Sequence, residues 1–281
     1  MRKTAIVTDS TAYLSKEECV QLSIHTIPLS VVFGNDSYQE GVDLTTETFY
    51  KKMEDTSLEL PTTSQPAIGS FVDLFETLRN EGYEEIVSIH LSAKISGTFQ
   101  TVVSAGEMVD GIQVYAFDSK ISCAPQGFFV REAAKLAHEQ EGGETIVHHL
   151  EGIRSQMGAY FMVDNLNHLK RSGRLSGAQA LVGSLLKIKP ILHFDNGEIV
   201  PFEKVRTETK ALNRMLTLLD EDVNKGDVNE VVVIHANRRS GAEELKERIL
   251  ERHPNQHVRI SYFGPVIGTH LGAGSLGVSW Y

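Results

Sequence analysis

The chain is 281 residues long, 41% hydrophobic and 23% charged, with a formal net charge of -10. That length is comfortable for two domains with cores of their own, and the acidic balance excludes sequence-wide affinity for nucleic acid or an anionic membrane. Two cysteines without paired spacing, Cys19 and Cys123, exclude a disulfide framework and a zinc cluster, and no stretch reaches the roughly 18 apolar residues that cross a bilayer.

The opening nine residues carry basic side chains, but their apolar run is too short for a signal peptide and reads as a first strand around Ala5-Ile6-Val7. With few cysteines, the expected compartment is the reducing cytoplasm, without membrane insertion. Residues 24–33 look extended, and Gly34-Asn35-Asp36 supplies a turn, so a small β excursion is expected near 24–45. Phe71, Leu74, Phe75 and Leu78 follow helical spacing; Ile86-Val87-Ser88-Ile89 is a strand; Phe99, Val102, Val103 and Gly106 share one helix face; Val114-Tyr115-Ala116-Phe117 is another strand. Helices follow over about 123–140, ended by Gly142-Gly143, and 144–156. This alternation predicts a Rossmann-like parallel sheet with helices on both faces in a domain spanning 1–155.

The remainder, 156–281, reads as an α+β domain with a mixed sheet. Two apolar runs flank Asn196-Gly197, a strong hairpin signal. A helix over about 207–224, a strand at 231–234, a helix over about 242–252 and a strand at 258–263 follow.

Two hydroxyl-rich loops precede helices: Pro61-Thr62-Thr63-Ser64-Gln65-Pro66 and Leu91-Ser92-Ala93-Lys94-Ile95-Ser96-Gly97-Thr98. A helix N-terminus carries unpaired N–H groups and positive partial charge, so two such ends suit a carboxylate or phosphate. The strand ends at Thr8-Asp9-Ser10-Thr11 and Asp118-Ser119 are polar as well. Ser, Thr and Asp most often serve as helix caps; their coincidence at several strand ends points to a ligand site. Asp9-Ser10-Thr11 lacks the second Asp of an aspartyl phosphatase loop. Gly272-Ala273-Gly274-Ser275-Leu276-Gly277 has the dinucleotide-binding spacing, but only four residues remain after it, so it reads as a tight glycine loop. His270, just before it, donates one hydrogen bond when neutral and also neutralises a carboxylate when protonated. No histidine spacing implies a metal, and no cofactor is expected. Between 165 and 194 there is no acidic residue, whereas Lys170, Arg171, Arg174, Lys187 and Lys189 form a basic island: a solvated face, or a docking patch for an acidic partner. Residues 178–188, almost wholly apolar, suit a tunnel wall or a core. Arg206 follows the hairpin and is a candidate to meet a carboxylate or to orient His270. No base–nucleophile–orienter pattern is evident, which weighs against a small-molecule transferase or hydrolase.

Taken in order and spacing, Thr8-Asp9-Ser10, Thr62-Thr63-Ser64-Gln65-Pro66, Lys94-Ile95-Ser96-Gly97-Thr98, Phe117-Asp118-Ser119, Leu169-Lys170-Arg171-Ser172-Gly173-Arg174, Lys189-Pro190-Ile191 and Gly268-Thr269-His270 resemble the DegV family of bacterial fatty-acid-binding proteins. Ala273 stands where the family often has Pro, and Ser172-Gly173 where it often has Gly-Gly. The resemblance implies two α/β domains with a long-chain acyl group between them, no enzymatic activity, and presentation of the fatty acid (palmitate, for example) to a fatty acid kinase that makes the acyl phosphate for phospholipid metabolism. By the same resemblance Thr62, Thr63, Ser64, Ser96, the Gly97 N–H, Arg206 and His270 hold the carboxylate, and Lys170, Arg171 and Arg174 face the kinase. A C16 tail offers on the order of 10 kcal/mol of burial before costs, so the tail supplies affinity and the head group specificity. A lipid-free interaction module built on the basic island is the other alternative.

Overall fold

A computed structural model describes residues 3–55, 57–177, 189–226 and 228–281. In chain order its elements are β1 (Thr4–Asp9), α1 (Lys16–Gln21), β2 (Ile24–Ile27), β3 (Ser30–Phe33), β4 (Asp36–Gln39), α2 (Thr46–Met53), β5 (Thr62–Ser64), α3 (Ile68–Asn80), β6 (Glu85–His90), α4 (Thr98–Glu107), β7 (Gln113–Asp118), α5 (Ala124–His138) and α6 (Gly143–Gln156). There follow β8 (Gly158–Met162), α7 (Asn167–Ser172), β9 (Ile191–Asp195), β10 (Glu198–Glu203), α8 (Glu208–Val223), β11 (Val231–His235), α9 (Arg239–Arg252), β12 (Val258–Tyr262), α10 (Pro265–Leu271) and β13 (Leu276–Trp280). The apolar run at 178–188 lies outside the described residues.

Two compact units emerge: Met1–Leu44 with Thr63–Ser155, and Thr45–Thr62 with Gln156–Tyr281. The sequence predicts an unbroken first domain over 1–155; instead the segment carrying α2 is built into the second unit. Phe49 and Tyr50 of α2 are buried, Tyr50 Oη donates to the Phe263 carbonyl at 2.8 Å, and both rings crowd Gly268 of α10. Those tertiary contacts are invisible in local sequence.

In the first unit β2, β1, β6 and β7 form a four-stranded sheet, every neighbouring pair parallel. Parallel neighbours require crossovers, and the helices of those crossovers cover both faces. Ala5 and Val7 of β1 pack with Phe71 and Phe75 of α3 and with Val102 and Ala105 of α4. Thr8, one residue on and so on the opposite face, meets Gln126 of α5. The extended segment expected at 24–33 is broken at Pro28, which has no N–H for a ladder. Its first half is β2 in the main sheet. Its second half, β3, turns at Gly34 (φ 58°) into β4, and the three-stranded sheet has the order β4-β3-β5.

The second unit holds a six-stranded sheet of order β10-β9-β8-β13-β11-β12, antiparallel except for β11 beside β12. Asn196 and Gly197 take φ of 48° and 87° at the predicted hairpin, the left-handed pair that a tight two-residue turn requires. Leu212, Met215, Leu216 and Leu219 line one face of α8 and bury against Val231, Val233, Val278 and Trp280, each contributing about 1.5–3 kcal/mol before entropy costs.

The approach of α10 to α2 has a measurable consequence. A Cβ on Gly268 would lie 2.7 Å from Phe49 Cε1 and 2.8 Å from Tyr50 Oη. Gly268→Ala is therefore expected to cost about 1–3 kcal/mol by overpacking. Gly69→Ala, where nothing lies within 4 Å, is expected to stabilise by up to about 1 kcal/mol. Urea unfolding of both variants measures the two signs.

Candidate functional site

At the carboxyl ends of β1, β6 and β7 the polar residues converge, as expected, but most of them hold one another. Asp118 Oδ1 accepts from the N–H groups of Ala93 (3.2 Å) and Lys120 (2.9 Å), and Ser92 N–H donates to the Ile121 carbonyl at 2.7 Å. Ser10 Oγ bonds the buried Glu40 carboxylate, and Thr8 Oγ1 donates to the Ile89 carbonyl at 2.8 Å. These side chains build the rim.

The 91–97 loop is the part of the rim with chemistry to spare. Ser92 folds it: its carbonyl accepts from the N–H of Ile95 and of Ser96, both at 3.1 Å, and its Oγ accepts from Lys94 N–H at 3.2 Å. Ser96 Oγ accepts from Thr98 N–H at 3.3 Å and lies 2.9 Å from Thr98 Oγ1. Gly97 is the N-cap of α4 and supplies no side-chain cap, so the positive end of that helix is presented at Ser96–Gly97. Gln65 brings the first hydroxyl loop alongside. Its amide donates to Thr101 Oγ1 at 2.6 Å, and its side chain occupies the space a Cβ on Gly97 would need. Between the starts of α3 and α4 lies an open groove of about 560 Å³ lined by Gln65, Pro66, Gly97 and Gln100. Thr62, Thr63 and Ser64 form strand β5 rather than a helix-opening turn; Thr62 and Ser64 are exposed and Thr63 is half-buried. The helix that follows starts only at Ile68, again without a side-chain cap.

A base–nucleophile–orienter arrangement, not apparent in the sequence, is present. Ser88 Oγ lies 2.7 Å from His90 Nε2, and His90 Nδ1 lies 2.9 Å from Asp9 Oδ2. Ser88 and His90 alternate along β6, and the β1–β6 register sets Thr8 against Ile89, which brings Asp9 beside His90. The Ser-x-His spacing was legible; the aspartate, 81 residues away, was not. Ser88, His90 and Asp9 are all fully buried, so no substrate carbonyl reaches Ser88 and the relay is structural.

In the second unit His270 occupies the last turn of α10, which packs on α7. Burial, then the charges of Arg174, Arg171 and His168, lower its pKa to about 4. His270 is therefore a neutral imidazole at physiological pH. Arg171 is not a free surface cation: its guanidinium donates to the carbonyls of Leu60 (3.3 Å) and Pro61 (3.1 Å), tying α7 to the chain just before Thr62. Arg174 donates to the Ser172 carbonyl at 2.5 Å. Lys170 is exposed, on a groove of about 420 Å³ shared with Leu60, Asn167, His168 and Arg171. Lys189 pairs with Asp164 at 2.6 Å, and Lys187 lies outside the described residues. Arg206 is exposed in the bend before α8, and the charges that bear on His270 come from α7 and Arg174 instead. The glycine loop behaves as the sequence predicts: Gly272 and Gly274 take φ of 73° and 85°, and a strand follows, not a helix. Among the described residues no His, Cys, Asp or Glu cluster is arranged to hold a metal ion, and no helix is long and apolar enough to cross a membrane.

Residues 3–281 match a family model described as "Uncharacterised protein, DegV family". A DegV domain-containing protein of Halalkalibacterium halodurans is 54% identical over 281 residues, covering 100% of this chain and 99% of that protein. The crystal structure of DegV, a fatty acid binding protein from Bacillus subtilis, is 51% identical and superposes with a TM-score of 0.94 over 100% of this chain and 99% of its own. A fatty acid binding DegV family protein from Streptococcus agalactiae is 34% identical, with a TM-score of 0.92 over 100% and 99%.

The environment of His270 fixes a pH dependence. Its folded value, about 4, lies below the ordinary 6.5, so the neutral form is the one that folding favours. Stability from this group is complete above about pH 6.5 and is lost as the pH falls towards 4, by about 3 kcal/mol in all. NMR titration of the ring protons is expected to give a midpoint near 4, and Arg174→Gln is expected to raise it by removing a nearby positive charge.

Proposed function

Because the chain belongs to the DegV family, we propose that it binds a long-chain fatty acid and acts as a carrier, not as an enzyme. The observation that carries this reading is the end-to-end match, at 51% identity, to a protein described as fatty acid binding. The Ser96–Gly97 turn supports it with suitable chemistry. Ser96 Oγ accepts from Thr98 N–H and shares a second hydrogen bond with Thr98 Oγ1, in which either hydroxyl can donate. Beside it stands the start of α4, where a carboxylate is favoured. The carboxylate contacts assigned to Thr62, Thr63, Ser64, Ser96, Gly97, Arg206 and His270 belong to this proposal. A neutral His270 enters it as a hydrogen-bond donor, not as a counter-charge.

Presentation to a fatty acid kinase, with Lys170, Arg171 and Arg174 as the docking cations, is the finer part of the proposal. So is the fate of the chain, palmitate for example, as an acyl phosphate for phospholipid metabolism. Arg171 is already engaged by two backbone carbonyls, so its loss would disturb the segment before Thr62 as well as any partner. Lys170 is the cleaner probe of docking.

Native mass spectrometry of the purified protein is expected to show an added mass equal to a fatty acid, released on denaturation. An apo mass unchanged after incubation with palmitate and oleate would overturn the proposal. Ser96→Ala is expected to weaken oleate binding about tenfold by leaving the carboxylate one donor short. Lys170→Glu should retain oleate yet fail to support acyl phosphate formation by a fatty acid kinase.

A further inference from the structure

Asp9 accepts five hydrogen bonds through its two carboxylate oxygens. Its Oδ1 accepts from Thr11 N–H (3.0 Å) and Thr11 Oγ1 (2.5 Å). Its Oδ2 accepts from His90 Nδ1 (2.9 Å), Gln126 Nε2 (3.1 Å) and Leu91 N–H (3.1 Å). The last of these is the informative one. Leu91 is the first residue after β6, and its N–H points away from the sheet ladder to a side chain of β1. Leu91 leads directly into Ser92, whose carbonyl and hydroxyl fold the turn that ends at Ser96.

Two hydrogen bonds joined by one peptide link therefore connect the Asp9 carboxylate, through Leu91 N–H and the Ser92 carbonyl, to Ser96 N–H. The carboxylate is itself held in place. His90 is clamped between Asp9 and Ser88, and Gln126 spans Asp9, Thr8 and Thr11. Burial alone would raise the Asp9 carboxyl, but the bonds from His90, Thr11 and Leu91 outweigh it and hold the carboxyl below its ordinary value. The acceptor is thus a carboxylate, which binds a backbone N–H about twice as strongly as a neutral oxygen does.

We propose that Asp9, clamped by the buried His90–Ser88 pair, is the positioning residue of the 91–97 loop, and that the protein's preference for an acid over a neutral head group depends on it. The proposal rests on the fatty-acid reading above, in which Ser96 and Gly97 meet the carboxylate. Asp9 and His90 are sealed from solvent and touch no ligand. They act by fixing where Ser96 stands.

The test is the ratio of affinities for oleate and oleyl alcohol, which share a tail and differ in the head group, measured by competition against a fluorescent fatty acid. A merely structural role lowers the folded fraction and moves both affinities together, leaving the ratio unchanged. Asp9→Asn, like Ser96→Ala, is expected to weaken oleate about tenfold while changing oleyl alcohol less than about twofold. Ser88→Ala, a small change that leaves the carboxylate in place but frees His90 to turn, covers the case in which Asp9→Asn does not fold. It is expected to lower the ratio about threefold, as a weaker loss of the same clamp. Should Ser96→Ala abolish the acid preference while the folded Asp9 and Ser88 variants keep it, the Asp9 assignment alone is overturned. Should the wild-type protein bind acid and alcohol equally, the placement of the carboxylate at Ser96 falls, and the role of Asp9 with it.

Discussion

A carboxylate removed from water must be compensated by donors on every side, or it protonates. Asp9 meets that demand with donors drawn from four places in the sequence: its own 3-10 turn through Thr11, the end of β6 through His90, the following loop through Leu91, and α5 through Gln126. Each donor is pinned to the same two oxygens, so the ends of β1 and β6 and the start of α5 share one geometry. The polar rim at the carboxyl edge of the sheet is rigid for this reason. Where parallel sheets place ligands, at the carboxyl ends of their strands, this unit has spent most of its hydroxyls on its own scaffold and left the Ser96–Gly97 turn to do the binding proposed for it.

The second unit is organised by close backbone approach. Gly268 lets α10 sit against Phe49 and Tyr50, and Gly272 lets the turn after α10 press on the His168 ring, where a Cβ would come within 2.8 Å. Both contacts converge on the helix that carries His270. Packing that tight desolvates the imidazole, and the guanidiniums of Arg174 and Arg171 add to the effect, so the residue stays uncharged where an exposed histidine would begin to titrate.

Much of the architecture could be read from sequence because it depends on local patterning. The spacing of Phe71, Phe75 and Leu78 specifies α3, and Asn196-Gly197 specifies the β9–β10 turn. The glycine loop read as a tight turn, and a strand follows it. What escaped the sequence depends on pairing at a distance. Strands β8 and β13 are short, carry Gly158 and Gly277, and show no clean alternation, yet they sit at the centre of the mixed sheet because their neighbours complete their ladders. The same limit hid the Ser88–His90–Asp9 relay, since its aspartate arrives only through the β1–β6 register. It also hid the membership of α2 in the second unit. Of the residues proposed for the site, Ser96, Gly97 and His270 were picked out by the chemistry of their loops. Asp9, Gln65 and Thr98 were read in the same polar loops, but the long-range bonds through which Asp9 and Gln65 act were not legible there.

The basic island illustrates why a charge pattern underdetermines its use. In sequence, Lys170, Arg171 and Arg174 are equivalent positive charges. In the structure they divide. Arg171 is exposed yet donates to two carbonyls and bears on His270, Arg174 is half-buried and bears on His270 most strongly of the side chains around it, and Lys170 is exposed. Two guanidiniums beside a neutral imidazole leave a local excess of positive charge. An anion bound next to His270, as in the fatty-acid proposal, would meet that positive charge together with a neutral ring able to donate one hydrogen bond. Burial first, and the two arginines after it, keep His270 uncharged, so in that proposal the arginines supply the positive charge and the ring supplies a hydrogen bond.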